Sequence, residues 1–175
     1  GTFSLKPVKV ELVNTRYRTI RTAIPSSGTR KIFKTLEQHE SRSMHGQLPV
    51  VWDKALDFQV FDKQGNRWID FTSTIFVANA GHANPKIIRA IERELKRPLV
   101  HTYTFASDIR SKFLKKLIES TPSFCEKAFL MSSGTEASEC AIKLMRLYGQ
   151  QISKNKVGII SFIGNMHGRT MGAEM

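Results

Sequence analysis

A short apolar run followed at once by a helix start is the feature that most constrains the fold of this chain. Residues 128–131 are apolar and predict a buried strand, which ends at Ser132, Ser133 and Gly134. Beyond this turn, apolar residues recur at three- and four-residue steps, which predicts an amphipathic helix. They are Ala137, Cys140, Ala141, Leu144, Met145 and Tyr148. Ser133 and Glu136 have the spacing of a capping box, which marks where the helix begins.

The same turn has the geometry of an anion site. The free backbone N–H groups and the positive end of the helix dipole lie together at a helix N-terminus. Gly134 permits close approach of an anion, and the Thr135 hydroxyl adds a donor. A second interpretation stays open, because most capping boxes bind no ligand. The turn matches neither a Walker loop, since no Gly-Lys-Ser/Thr follows, nor the dinucleotide fingerprint, since it has one glycine.

A second motif lies near residue 170. Residues 157–162 predict another buried strand, and a turn containing His167, Arg169 and Thr170 follows. Open α/β sheets bind ligands at the carboxyl ends of their strands. Strands that alternate with helices also indicate a parallel sheet covered by helices. The pattern therefore predicts an α/β fold with a ligand site at this turn.

Taken together, Ser-Gly-Thr-Glu-Ala at 133–137 and His-Gly-Arg-Thr at 167–170 resemble the class III pyridoxal-phosphate aminotransferases, of the 4-aminobutyrate and acetylornithine types. Further stretches resemble this family in the same order, at residues 21–25, 61–71, 81–85, 101–102 and 121–122. The resemblance implies part of the large domain of a fold-type I transferase, a mostly parallel sheet with helices on both faces. An N-terminal arm and small-domain segment with a β-hairpin would occupy residues 1–80, and the first part of the cofactor-binding domain residues 81–175.

The resemblance also implies which residues contact pyridoxal 5'-phosphate. The amides of Gly134 and Thr135 would hold the phosphate, and Ser133 would either assist or only cap the helix. Met166 stands where the family usually has an aromatic residue on the pyridine ring; its thioether either contacts the ring or only packs. His167 would orient the cofactor or hydrogen-bond to the backbone.

Two residues are expected to contact the substrate. Arg169 matches the family arginine that binds a carboxylate, a role that suits the planar guanidinium fork; the alternative is an ordinary surface arginine. Ile75 lies in a segment that resembles one lining the substrate pocket, and Thr74 stands where the family commonly has glycine. We expect His82 and His101 to have structural roles.

The family's Schiff-base lysine and the aspartate that pairs with the pyridine nitrogen are not identified in this sequence. Family members carry both beyond the His-Gly-Arg-Thr turn, and the lysines near it lie outside the family's lysine motif. We therefore expect an N-terminal fragment that cannot transaminate alone, from a homodimeric enzyme. That enzyme would transfer an amino group from an ω-amino acid such as 4-aminobutyrate to a 2-oxo acid. The alternative is a non-catalytic truncated paralogue that binds or modulates a full-length subunit.

Composition limits the remaining classes of partner. The net charge is +12, from 27 basic and 15 acidic residues, which raises a third hypothesis of nucleic-acid binding. The basic residues are scattered and form no nucleic-acid motif, so we expect no such partner.

No apolar run approaches the roughly 18 residues of a membrane span. The two cysteines lack metal-site spacing, so we expect no metal. They suit a reducing compartment, so we expect a cytoplasmic protein, with organelle import left open by the basic N-terminal arm.

Local patterns predict further elements. A helix is expected over residues 30–42, a second over 85–97 with Pro85 in its first position, and a third that begins after Ser107. Strands are expected at 56–61 and 67–71, joined by the glycine-containing loop 62–66.

Overall fold

The computed structural model describes residues 3–99, 101–102 and 104–174. The chain divides into two compact units, residues 1–101 and 102–175, and each is described by itself. The domain boundary that the resemblance implies, between residues 80 and 81, stays a prediction.

An antiparallel sheet organises the first unit. Its strands are β1 (Val13–Asn14), β2 (Thr19–Ile20), β3 (Lys54–Leu56), β4 (Gln59–Phe61) and β5 (Arg67–Ile69), in the order β1-β2-β5-β4-β3. The predicted hairpin is confirmed, because β4 and β5 pair across the loop 62–66. The single strand expected at 56–61 is wrong. Asp57 adopts φ 52°, a conformation that Asp tolerates better than most residues, and the chain reverses there between β3 and β4.

One fully buried side chain holds the hairpin loop against the N-terminal segment. Asn66 is 0% exposed, and its Oδ1 accepts hydrogen bonds from the backbone N–H of Arg21 at 2.7 Å and of Thr22 at 3.3 Å. Its Nδ2 donates to Asp62 Oδ2 at 2.8 Å and to Thr22 Oγ1 at 2.7 Å. A buried amide with both ends satisfied fixes one arrangement of the loop.

The described part of the first unit also contains α1 (Thr29–His39), the short left-handed turn α2 (Ser73–Phe76) and α3 (Pro85–Leu95). The helices predicted at 30–42 and 85–97 are confirmed, each slightly shorter than expected. Asn84 caps α3 by accepting from the Lys86 N–H at 3.0 Å, and Pro85 takes the first helical position, where no N–H is needed. Residues Arg42–Met44 form a 3₁₀ turn after α1.

The helices described in the second unit are α4 (Asp108–Glu119) and α5 (Gly134–Ile152). Ser107 caps α4 by accepting from the Arg110 N–H at 3.4 Å, as predicted. The strands predicted at 128–131 and 157–162 are wrong for the described part of the unit, where neither segment pairs with another strand. A strand exists only where a neighbour supplies backbone partners. The implied parallel sheet is accordingly not formed by the described residues, whose one sheet is antiparallel.

Much apolar surface stays exposed. Phe71 is 91% exposed, Ile160 93% and Ile163 107%, whereas Ile20 and Val60 are buried in the sheet of the first unit. Folded domains usually cover most large apolar side chains, so these faces are left uncovered by the described residues. Among the helices of the described ranges, none has the length and apolarity needed to cross a bilayer.

His82 has the structural role expected of it in the first unit. Its Nε2 lies 2.7 Å from Asp70 Oδ2, and its backbone exchanges two hydrogen bonds with Asp57. The Asp70 side chain is 2% exposed, and Thr72 donates both its N–H and its hydroxyl to Asp70 Oδ1. Burial alone would raise the pKa of Asp70, but the hydrogen bonds from His82 and Thr72 and the charge of His82 outweigh it and lower that pKa from 3.8 to about 2.

We expect Asp70 to make the first unit sensitive to acid. Because its pKa is lower when folded than when unfolded, the unfolded chain binds more protons, and the stabilisation present above about pH 4 is lost as pH falls towards 2. The unfolding free energy should fall by about 2 kcal/mol over this pH range, and the Asp70→Asn variant should not show this fall. Urea unfolding between pH 2 and 5, followed by tryptophan fluorescence, measures it. Asp53→Asn, at an exposed carboxylate, is the control; an Asp70→Asn profile as steep as the control would contradict the assignment.

Candidate functional site

The start of α5 carries the predicted capping box. Ser133 Oγ accepts from the Glu136 N–H at 3.2 Å, and Glu136 Oε2 accepts from the backbone N–H of Ser132 at 2.9 Å and of Ser133 at 3.1 Å. Both halves of the box are therefore formed, and the capping role of Ser133 is confirmed.

Two backbone donors beside this cap have no partner among the described residues. An α-helix leaves its first four N–H groups without helical partners. Here Glu136 N–H donates to Ser133 Oγ and Ala137 N–H to the Ser133 carbonyl, whereas the amides of Gly134 and Thr135 have no hydrogen-bond partner in the described ranges. A Cβ on Gly134 would meet no atom within 4 Å. Two free amides, open space and the dipole of a 19-residue helix fit the phosphate of pyridoxal 5'-phosphate.

The structure brings the two sequence motifs together within the second unit. A Cβ on Gly168 would lie 2.7 Å from Thr135 Oγ1 and 3.0 Å from the Ala173 Cβ, so only glycine allows the turn to approach the helix start this closely. Gly168 also has φ 141°, which other residues rarely adopt. The His-Gly-Arg-Thr turn therefore packs directly against the first turn of α5.

Glu139 is a site residue that the sequence analysis missed. Its Oε1 accepts from the Thr170 hydroxyl and from the Gly172 N–H at 3.1 Å, across more than 30 residues of sequence. Lys143 lies four residues further along α5, the spacing of an ordinary exposed ion pair on a helix. The sequence therefore carries no signal for the contact with the turn.

Met166, His167 and Arg169, which are assigned to the cofactor ring and the substrate carboxylate, lie on the same turn. His167 lines a cleft of about 390 Å³ between α5 and residues 157–161, with Met145 and Arg146 on the helix side. Met166 is 70% exposed, and Arg169 is exposed with no ion pair to any described residue. A free guanidinium is available for a carboxylate. The roles of Met166, His167 and Arg169 stay predictions.

Ile75 belongs to the first unit, where it lines a cleft of about 800 Å³ together with Trp52, Trp68 and Phe71. Its segment is strained, because Ser73, Thr74, Ile75 and Phe76 all have φ between 47° and 67°. Side chains with a Cβ disfavour this left-handed conformation by about 1–2 kcal/mol per residue. The φ of 54° at Thr74 agrees with the glycine that the resemblance implies there. The substrate role of Ile75 stays a prediction.

No group of three or more His, Cys, Asp or Glu side chains in the described ranges could hold a metal ion. Cys125 and Cys140 are both free thiols.

Sequence comparison gives the family. A model of the class-III aminotransferases matches residues 41–174. Ornithine aminotransferase, mitochondrial, from rice is 35% identical over 141 residues, which cover 78% of this chain and 29% of the relative. Acetylornithine aminotransferase from Clostridium acetobutylicum is 37% identical over 130 residues, which cover 74% of this chain and 33% of the relative. The chain thus spans about a third of the length of the curated relatives it matches.

Solved structures show the same likeness. Acetylornithine aminotransferase from Elizabethkingia anophelis aligns with a TM-score of 0.63 at 27% identity, over 73% of this chain and 31% of that one. An ornithine aminotransferase from Toxoplasma gondii, crystallised with partial occupancy of PLP at its active site, aligns with a TM-score of 0.69 at 25% identity, over 83% of this chain and 34% of that one. The expected fold class, part of a fold-type I transferase, is confirmed by these alignments.

Class III aminotransferases of this kind use pyridoxal phosphate, and the free amides at the start of α5 fit its phosphate. The family match covers most of the chain, including the capping box and the turn of Arg169. The chain belongs to the class-III aminotransferase family.

Proposed function

We propose that this chain supplies the phosphate-binding helix start and the carboxylate-binding arginine of a pyridoxal-phosphate-dependent aminotransferase. The reaction is transfer of an amino group from an ω-amino acid to a 2-oxo acid. One observation carries the proposal: the start of α5, whose amides at Gly134 and Thr135 have no described partners, contacts the turn that contains Arg169 through the Thr135 side chain.

The residues of this chain bind and orient. Gly134 and Thr135 would donate their N–H groups to the phosphate, and the dipole of α5 favours its negative charge. Arg169 would hold a substrate carboxylate through its two-pronged guanidinium. When bound, pyridoxal phosphate supplies the electron sink for amino-group transfer. No lysine of the 175 residues is assigned the covalent bond to the cofactor.

The substrate class follows from the same arginine. Relatives of this chain are named for ornithine and acetylornithine, and both of these amino donors carry a carboxylate, as 4-aminobutyrate does. We therefore propose an ω-amino acid with a free carboxylate as donor, 4-aminobutyrate among them. A homodimer is proposed as the assembly, which agrees with the extent of exposed apolar surface. The expected cytoplasmic location stays a prediction.

Removing one amide hydrogen tests the phosphate site. Gly134→Pro deletes the N–H at the first helical position, where proline preserves the helix. Ser133 already has an extended backbone, φ −144° and ψ 162°, as a residue before proline requires. We expect the affinity for pyridoxal 5'-phosphate, measured by fluorescence titration, to fall at least about tenfold, since a hydrogen bond to a charged group is lost.

Gly134→Ala is the matched control, because it keeps the N–H and adds a methyl group at the position where the proline variant carries its ring. Its affinity should stay at least about tenfold above that of the proline variant. Pyridoxal without phosphate serves as the second ligand, and its binding should not distinguish the two variants. Equal affinity of the proline and alanine variants for pyridoxal 5'-phosphate would refute the proposed site.

A further inference from the structure

Hydrogen bonds from Thr170 and Gly172 to Glu139 join the start of α5 to the turn that contains Arg169. Glu139 lies on α5, five residues beyond Gly134, and a single carboxylate oxygen accepts from both the Thr170 hydroxyl and the Gly172 N–H. Hydrogen bonds to a carboxylate are about twice as strong as neutral ones. Arg169 precedes the first of these donors directly.

Glycine makes this approach possible. A Cβ on Gly172 would stand 2.8 Å from Glu139 Oε1 and 2.9 Å from its Cδ, so a side chain at 172 would push the Glu139 carboxylate out of this position. At the other end of the turn, Gly168 packs on Thr135 in the same way. The turn is therefore pinned to α5 at two points four residues apart, and Arg169 lies between them.

The charge on Glu139 needs an explanation, because an acidic residue close to a phosphate site opposes the binding of an anion. Glu136, the other acid in this part of α5, is engaged in the capping box. Glu139 makes no ion pair with Lys143 and instead binds the turn. The contacts of Glu139 hold the turn of residues 168–172 in place. They compensate for its unfavourable negative charge only if ligand binding depends on the position of that turn.

We propose that Glu139 is a positioning residue: its carboxylate clamps residues 168–172 onto the start of α5. The clamp fixes Arg169, and with it the adjoining His167 expected to orient the cofactor, relative to the amides of Gly134 and Thr135. The consequence for ligand binding rests on the proposed function, whereas the clamp itself does not.

The direction in which ligand affinity changes when the Glu139 charge is removed distinguishes a positioning role from a purely electrostatic one. Glu139→Ala removes a negative charge and, by electrostatics alone, strengthens binding of pyridoxal 5'-phosphate. The clamp requires the opposite, a loss of affinity of about tenfold, as for a site that has lost preorganisation. Glu139→Gln keeps an acceptor oxygen and should recover part of that loss. Glu126→Ala, at an exposed carboxylate of the same unit with no described hydrogen bond, is the charge control and should bind no more weakly than the unaltered chain.

Coupling to Thr170 identifies the partner. Thr170→Val removes the hydroxyl donor, whereas Thr170→Ser keeps it and should bind as the unaltered chain does. If both residues act through one contact, the double variant Glu139→Ala, Thr170→Val loses no more affinity than Glu139→Ala alone. Losses that multiply, or an affinity of Glu139→Ala at or above that of Glu126→Ala, would overturn the proposal. Far-UV circular dichroism of each variant verifies that α5 is intact.

A measurement without ligand separates this proposal from the proposed function. Hydrogen exchange at the Gly172 amide, followed by NMR, should be at least about tenfold faster in Glu139→Ala than in the unaltered chain, because its acceptor is gone. Unchanged exchange refutes the clamp whatever the ligand does. If the unaltered chain binds no pyridoxal 5'-phosphate, the proposed function fails, and the exchange at Gly172 alone decides whether the clamp exists.

Discussion

Replacing Asn66 with alanine should cost about 3 kcal/mol of the unfolding free energy of the first unit. The change removes both ends of a fully buried amide. The backbone N–H groups of Arg21 and Thr22 lose their acceptor, and Asp62 loses one of its donors. Each buried polar group left without a partner costs about 1–3 kcal/mol, and water reaching the exposed Arg21 offsets part of the sum.

Urea unfolding followed by tryptophan fluorescence measures this effect, because both tryptophans, Trp52 and Trp68, lie in the first unit. Asn14→Ala is the matched control: Asn14 lies in β1 of the same sheet, is exposed, and its side chain makes no hydrogen bond with a described residue. A loss for Asn66→Ala within about 0.5 kcal/mol of the control, the usual effect of a surface substitution, would show that the network does not hold the loop.

Gly149→Val should destabilise the second unit by about 3 kcal/mol. Gly149 is buried in the last part of α5, and the chain turns back over it after the helix. A Cβ there would collide with the Lys156 carbonyl oxygen and lie 3.3 Å from its carbon. The obstacle is backbone, which cannot move aside as a flexible side chain can, and overpacking of this kind costs about 1–3 kcal/mol or more. The better helix propensity of valine returns less than about 0.5 kcal/mol.

Far-UV circular dichroism during urea unfolding follows α5 and so measures this loss. Gly158→Val is the matched control, since a Cβ on Gly158 would meet no atom within 4 Å. Equal midpoints for the two valine variants would mean that the approach of Lys156 to α5 is dispensable.

Local signals in the sequence predicted much of the site and its supporting helices. The Ser133 and Glu136 capping box, the Asn-Pro start of α3 and the Ser107 cap each depend on residues within about four positions of one another, so the chain encodes them without its tertiary context. The hairpin across residues 62–66 is local in the same sense. Each of the two motifs that indicate the family is a continuous run of residues, so each is recognisable from the sequence alone.

Strand formation depends on backbone partners from other segments of the chain, which the local sequence does not show. Residues 128–131 and 157–162 have the apolar composition of buried strands, yet no described strand pairs with either. Composition states what a segment tolerates, whereas a strand requires backbone partners from another segment. The strained turn at Ser73–Phe76 has a similar origin, because a left-handed backbone at Thr74 and Ile75 runs against the local preference of both residues.

The sequence by itself determined where α3, α4 and α5 begin, that two amides at the head of α5 are left free, and which family the chain resembles, because these properties arise from neighbouring residues. Only the tertiary structure decided that Asn66 is buried between Arg21 and Asp62, that Gly149 lies beneath the Lys156 carbonyl, and that Glu139 binds Thr170 and Gly172. Each of these contacts joins residues whose roles no local pattern reveals, since the partners meet only when the chain folds back on itself.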